Sequence, residues 1–182
     1  MKIALTIAGS DPTGGAGLQA DLKVFHSLDV HGLSVTSALT AQNTGAVDAI
    51  YPVDSEQIRG QLDSLLSDIK PNALKTGMLY STRAVEITAE AVKKHKLGNL
   101  VIDPVTVSSS GKSLVADGTI DIMKKVLFPL AKVITPNIYE ASVLTGLMVE
   151  TPGDMEEAAK KLFYGGPDVV IVTGGHLEGQ AM

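Results

Sequence analysis

Short apolar runs alternate with stretches whose apolar residues recur every three or four positions, along the whole chain. The runs at 3–8, 34–40, 73–75, 100–103, 132–135 and 169–173 read as strands, the first of them as a buried one. A shorter run at 47–53 reads as an edge strand or a small flap. Leu18, Leu22, Phe25 and Leu28 form the apolar stripe of a first helix. Ile58, Leu62, Leu65, Leu66 and Ile69 form a second, opened by Asp54-Ser55-Glu56-Gln57, which resembles a capping box. Val85, Thr88, Ala91 and Val92 mark a third, 119–128 a fourth and 137–144 a fifth. A sixth spans 154–164, started by Asp154 with Glu157 three residues later. This alternation predicts an α/β domain with a mainly parallel sheet covered by helices. No repeat, low-complexity tract or linker divides it, so residues 1–182 read as one domain.

In open parallel sheets, ligands bind beyond the carboxyl ends of the strands. The segments that follow the predicted strands there are Gly9-Ser10-Asp11, Ala41-Gln42-Asn43-Thr44, Thr76-Gly77-Met78, Asp103-Pro104-Val105, Pro136-Asn137 and Gly174-Gly175-His176. Nearly every polar or glycine-rich group in the chain therefore falls on one rim. The first of them continues as Asp11-Pro12-Thr13-Gly14-Gly15-Ala16-Gly17, a strand–loop–helix unit at whose helix start unpaired N–H groups face a closely approaching ligand. It is not a P-loop, because Gly15-Ala16 stands where Lys-Ser/Thr is required. Gly15-Ala16-Gly17-Leu18-Gln19-Ala20 fits a loose dinucleotide fingerprint, but the second strand's tip carries no acid until Asp48. A tight turn that holds no ligand would use the same letters.

Composition narrows the classes. With 45% hydrophobic residues the chain buries a proper core, and a net charge of −5 argues against a nucleic-acid surface. The densest basic cluster, Lys93-Lys94-His95-Lys96, ends a predicted helix, where cations suit the dipole. There is no cysteine, so disulfides and thiolate metal sites are excluded within these residues. No apolar run approaches the ~20 residues of a membrane span, and no secretory h-region opens the chain. A cytoplasmic protein with neither nucleic-acid nor membrane partners is expected. His26 and His95 fall on helices, His31 reads as a turn residue, and His176 alone reaches the functional rim.

The rim segments also carry a resemblance. Leu5-Thr6-Ile7-Ala8-Gly9-Ser10-Asp11, Gly14-Gly15-Ala16-Gly17-Leu18-Gln19-Ala20-Asp21-Leu22-Lys23, Thr40-Ala41-Gln42-Asn43-Thr44, Lys75-Thr76-Gly77-Met78-Leu79, Asp103-Pro104-Val105, Thr135-Pro136-Asn137-Ile138-Tyr139-Glu140-Ala141 and Thr173-Gly174-Gly175-His176 occur in order. Together they resemble the hydroxymethylpyrimidine/phosphomethylpyrimidine kinases, the thiamin-biosynthesis branch of the ribokinase-like superfamily, with pyridoxine kinases next in likeness. The resemblance covers essentially the whole chain. It implies a ribokinase-like α/β fold, helices on both faces of the sheet, a homodimer, and ATP- and Mg²⁺-dependent phosphorylation of 4-amino-5-hydroxymethyl-2-methylpyrimidine or its monophosphate. Pyridoxine phosphorylation and a non-catalytic pyrimidine-binding module are the alternatives.

Carried over by position, Gly9, Ala16, Asp21, Gln42, Met78 and Val105 would bind the pyrimidine. The Gln42 amide offers the NH₂ and C=O pair that an aminopyrimidine edge requires. Met78 offers a deformable apolar surface to a flat ring, though core filling is the alternative. Asp103, Asn137, Glu140 and Thr173 would contact Mg–ATP, with Asp103 and Glu140 as oxygen ligands of Mg²⁺. Asn137 and Glu140 are also spaced as a helix cap, and Asp103-Pro104 would serve equally to end a strand.

Two departures stand out. Thr173 occupies a position where many pyrimidine kinases carry a phosphate-binding lysine. The family's Gly-Thr-Gly-Cys-type segment, whose last residue acts as the base, lies downstream of the motif ending at His176, and the chain contains no Cys and no Gly-x-Gly-Asp. On the resemblance, the 182 residues are expected to be a C-terminally truncated piece that lacks the anion-hole segment and so carries no catalytic residue.

Overall fold

The computed structural model describes residues 1–107 and 113–174. Seven strands make one sheet in the order β3-β2-β1-β4-β5-β6-β7. They are β1 (Lys2–Ser10), β2 (Val30–Gln42), β3 (Val47–Pro52), β4 (Ala73–Thr76), β5 (Leu100–Ile102), β6 (Val133–Ile134) and β7 (Val169–Val170). Among these described strands, the β2–β3 pair is antiparallel and the other pairs are parallel. The helices are α1 (Gly17–Ser27), α2 (Ser55–Asp68), α3 (Thr82–Lys94), α4 (Thr119–Ile122), α5 (Ile138–Thr145) and α6 (Pro152–Phe163). The main core joins Leu5 and Ile7 of β1 to Ile58 and Leu62 of α2, Ile87 of α3 and Ile102 of β5, all essentially inaccessible to water.

The expected 47–53 flap is β3, the antiparallel edge. β2 is much longer than expected. Its first ten residues pair with β1, and its last ones, Thr40 to Gln42, run past the end of β1 and pair with β3 alone. A short antiparallel wall therefore stands above the carboxyl rim.

Several local expectations are corrected. His31 is paired within β2 rather than in a turn. Leu28 is 68% exposed, because α1 ends at Ser27 and the chain turns through Asp29 at φ +54°. Asp54 caps α2 through the Glu56 N–H at 2.9 Å, so its bond goes to the second helical residue rather than to Gln57. Helix 119–128 is irregular: α4 widens into a π-turn at Met123–Leu127 and tightens at Phe128–Leu130, where Pro129 lacks the N–H to continue it. α6 is capped by Thr151, not started by Asp154. Pro152 takes the first helical position, and Asp154 is the reciprocal partner, accepting from the Thr151 N–H at 2.9 Å. The last predicted strand keeps only Val169–Val170, with Thr173 rejoining the sheet as a single bridge to Asn137.

Candidate functional site

The glycine loop is built around one carboxylate. Asp11 is buried, and its side chain accepts from the Thr13 N–H (2.8 Å), the Thr13 hydroxyl (2.9 Å) and the Ala16 N–H (2.8 Å). Burial pushes this carboxyl up, but the N–H groups and hydroxyl around it outweigh burial and hold it below its ordinary value. Helix α1 reaches back to the same loop. Gln19 accepts from the Asp11 N–H at 2.9 Å and donates to Ser10 Oγ at 2.7 Å, and Lys23 Nζ donates to Gly14 O at 2.7 Å. The chain enters α1 through Gly17 at φ +59°, where a Cβ would stand 2.5 Å from Gly9 O. Gly17→Ala is therefore expected to lower stability by about 2 kcal/mol or more, through left-handed strain plus that collision, measured as the urea midpoint.

Above this loop lies a cavity of about 320 Å³. Gly9, Ala16, Gln42, Met78, Asp103 and Val105, six of the sequence-predicted site residues, all line it. They come from four neighbouring strand ends, because β2, β1, β4 and β5 lie side by side. Its apolar wall is a small cluster of Met78, Leu114, Val47 and Val105. Met78 is thus both core and wall: it is 7% exposed, and the Ser37 hydroxyl donates to its carbonyl. A Cβ at Gly9 would meet Met78 Cε, so a side chain there would push the flexible Met78 tip aside and reshape this wall. Gln42 is half-buried, at the tip of the overhanging part of β2. The Thr40 hydroxyl lies 2.9 Å from Ser10 O and 3.2 Å from Gln42 Oε1, so it ties the tip of β2 to the end of β1 and steadies the amide.

Asp21 lies off the cavity lining, one side chain behind it. Its carboxylate accepts from the Thr6 hydroxyl at 2.6 Å and from Lys75 Nζ at 3.1 and 3.2 Å, and it stands behind the cavity rather than on its lining. Lys75 lines the cavity in its place, with Asp103 Oδ2 3.5 Å from the same ammonium. Burial raises the Asp103 carboxyl above its ordinary value, Lys75 opposes this, and Asp21 adds to it. Lys75 and Asp11 were not assigned from the sequence. A lysine inside a strand otherwise apolar and covered on both faces is the signal that pointed to the first.

Asn137, Glu140 and Thr173 gather at the β5–β6–β7 end, off the cavity lining. Asn137 and Glu140 do form the reciprocal cap of α5: each backbone N–H donates to the other's side chain at 2.9 Å. Thr173 donates its N–H to Pro136 O and pairs with Asn137. Glu140 is 3% exposed. Burial pushes it up to about 7, the Asn137 and Thr106 N–H groups oppose that rise, and Asp103 adds to it. A carboxyl raised in the folded state contributes stability below its ordinary 4.5, and that contribution is lost as pH climbs through about 7. The loss is about 3 kcal/mol. Glu140→Gln is expected to flatten the stability profile over this range, read from urea midpoints between pH 4 and 8.

Mg²⁺ keeps several waters and takes one or two protein carboxylates beside phosphate oxygens. Asp103 fits that habit, since its carboxylate is partly open to the cavity. His176 lies outside the described residues, and so does Gly175. A wider hollow, about 620 Å³, opens near Met1, His26 and His31, where β1 and β2 begin. It lacks the convergence of strand-end groups that marks the carboxyl rim. Among the described residues no helix is long and apolar enough to cross a membrane.

The chain is similar in sequence and fold to known proteins. The sequence model of a family described as phosphomethylpyrimidine kinase matches residues 11–182. A hydroxymethylpyrimidine/phosphomethylpyrimidine kinase of Bacillus subtilis is 42% identical over 173 residues, covering 95% of this chain and 64% of the relative. A thiamine biosynthesis bifunctional protein of Geobacter sulfurreducens is 44% identical over 95% of this chain and 35% of its own length. Among solved structures, phosphomethylpyrimidine kinase from Clostridium difficile superposes with a TM-score of 0.90 at 41% identity, covering 100% of this chain and 78% of that one. The pyridoxal kinase of Bacillus subtilis, solved as an ADP complex, superposes with a TM-score of 0.88 at 40% identity over 98% of this chain and 67% of that one. The chain thus spans under two thirds of the length of these curated relatives.

Proposed function

Because the chain belongs to the phosphomethylpyrimidine kinase family, we propose that its rim cavity binds 4-amino-5-hydroxymethyl-2-methylpyrimidine or its monophosphate for phosphorylation by ATP. The observation that carries this reading is the meeting of Gln42, Gly9 and Met78 on one cavity. A flat ring fits against the apolar wall of Met78 and Val105 beside the bare backbone of Gly9, and the Gln42 amide pairs with the ring nitrogen and amino group. Asp21 supports the pocket through Lys75 rather than by touching the ring.

Asp103 would hold Mg²⁺ through water, and Glu140 would act on it from behind the α5 cap. Bound there, Mg²⁺ would supply positive charge that offsets the charge of the transferring group. The start of α5, between Asn137 and Thr173, would face the nucleotide. A homodimer and a cytoplasmic location belong to the same proposal.

Pyridoxal is the competing substrate, because a pyridoxal kinase shares the fold at 40% identity. Calorimetric titration of the chain with each compound separates the two. Saturable pyrimidine binding, at least tenfold tighter than that of pyridoxal, is expected. Equal or tighter binding of pyridoxal would overturn the assignment.

A further inference from the structure

Lys75 has no place in the reading above beyond its bond to Asp21, yet it is the only basic side chain that lines the cavity among the described residues. It sits on the face of β4 shared with Thr6 of β1, and its side chain runs up past Gly77, where a Cβ would stand 3.0 Å from Nζ. Two carboxylates fix its end: Asp21 at 3.1 Å, itself braced by Thr6, and Asp103 at 3.5 Å. An ammonium carries three N–H donors, so one remains for whatever fills the cavity.

The cavity is therefore polarised. A neutral amide stands at its β2 end, and a braced cation stands two strands away on β4, about 10 Å across the sheet. Two carboxylates face one ammonium, which leaves that end net negative. A neutral oxygen that only accepts a hydrogen bond is welcome there, whereas an unaccompanied anion is repelled.

We propose that Lys75 is a specificity-determining residue that donates to the oxygen of the ligand's hydroxymethyl group, with Asp21 as the positioning residue that holds its ammonium. The assignment deepens the pyrimidine reading and rests on it. Lys75 places the oxygen through an N–H it donates and takes no proton from it.

A ligand pair tests this: 4-amino-5-hydroxymethyl-2-methylpyrimidine against 4-amino-2,5-dimethylpyrimidine, which lacks the oxygen, titrated by calorimetry. The unaltered chain is expected to prefer the alcohol by about tenfold. In Lys75→Met the preference falls to near one, while the dimethyl compound keeps its affinity. Asp21→Asn/Lys75→Met removes opposite charges together, so it avoids stranding Asp21 and gives the same answer if the single variant fails to fold. Asp21→Asn alone reduces the preference partway, and Lys75→Arg restores part of it. A preference that persists undiminished in a folded Lys75 variant overturns the assignment. Failure of the unaltered chain to bind either compound removes the pyrimidine reading itself, and the Lys75 role with it.

Discussion

Replacing Asp11 with alanine is expected to lower stability by about 3 kcal/mol and to abolish measurable ligand binding. A charged acceptor contributes roughly 1.5–3 kcal/mol per hydrogen bond it satisfies, and here one carboxylate closes the loop on both Thr13 and Ala16. Alanine leaves the Thr13 and Ala16 donors to water and releases the start of α1 from the end of β1. Asp11→Asn, which can accept through one oxygen, is expected to lose about half as much. The pH signature runs opposite to that of Glu140. The Asp11 carboxyl lies below its ordinary 3.8 in the fold, so its contribution is present above that value and disappears as acid titrates it. Glu140 acts between 4.5 and about 7, so the two windows are separable in one pH series of urea midpoints.

The second large effect is expected at Gln42. Gln42→Leu keeps the volume and deletes the donor–acceptor pair, so a ligand edge with two polar atoms would be desolvated against methyl groups. Sites built to hydrogen-bond a ligand discriminate strongly for this reason. Loss of about 100-fold in pyrimidine affinity is expected, or about 2.7 kcal/mol. Thermal stability should barely change, because Gln42 ends a strand and is only half-buried. Gln42→Glu should retain more affinity, and that affinity should strengthen as pH falls, because a carboxylate matches the ring only when the ring nitrogen is protonated. An affinity unaffected by Gln42→Leu would place the ligand elsewhere.

The sheet was legible because short strand-like runs alternate with helical stripes, and each of the six runs, with the 47–53 flap, holds one of the seven strands. What propensity could not supply was the length of β2. Its overhang is dictated by pairing with β3, a tertiary bond that leaves no periodicity near Gln42. The widened turn after α4 was equally hidden, since the residues from 123 to 127 are ordinary helix formers. At the site, glycines and the strand-end rule brought Gly9, Ala16, Gln42, Met78, Asp103 and Val105 to one cavity. Asp21, one turn into α1, faces the sheet beneath the cavity, where Thr6 and Lys75 hold it. Asn137 and Glu140 satisfy the cap reading fully, and the cap itself brings Glu140 near Asp103.

A flat heterocycle seated over the first glycines and read by the Gln42 amide is the central claim. It is tested most directly by titrating ¹⁵N-labelled chain with 4-amino-5-hydroxymethyl-2-methylpyrimidine and following individual N–H resonances. The Gln42 side-chain amide and the backbone N–H groups of Gly9 and Gly17 should shift together and saturate at one concentration. Shifts confined to the hollow around Met1, His26 and His31, with the Gln42 amide unmoved, would contradict it.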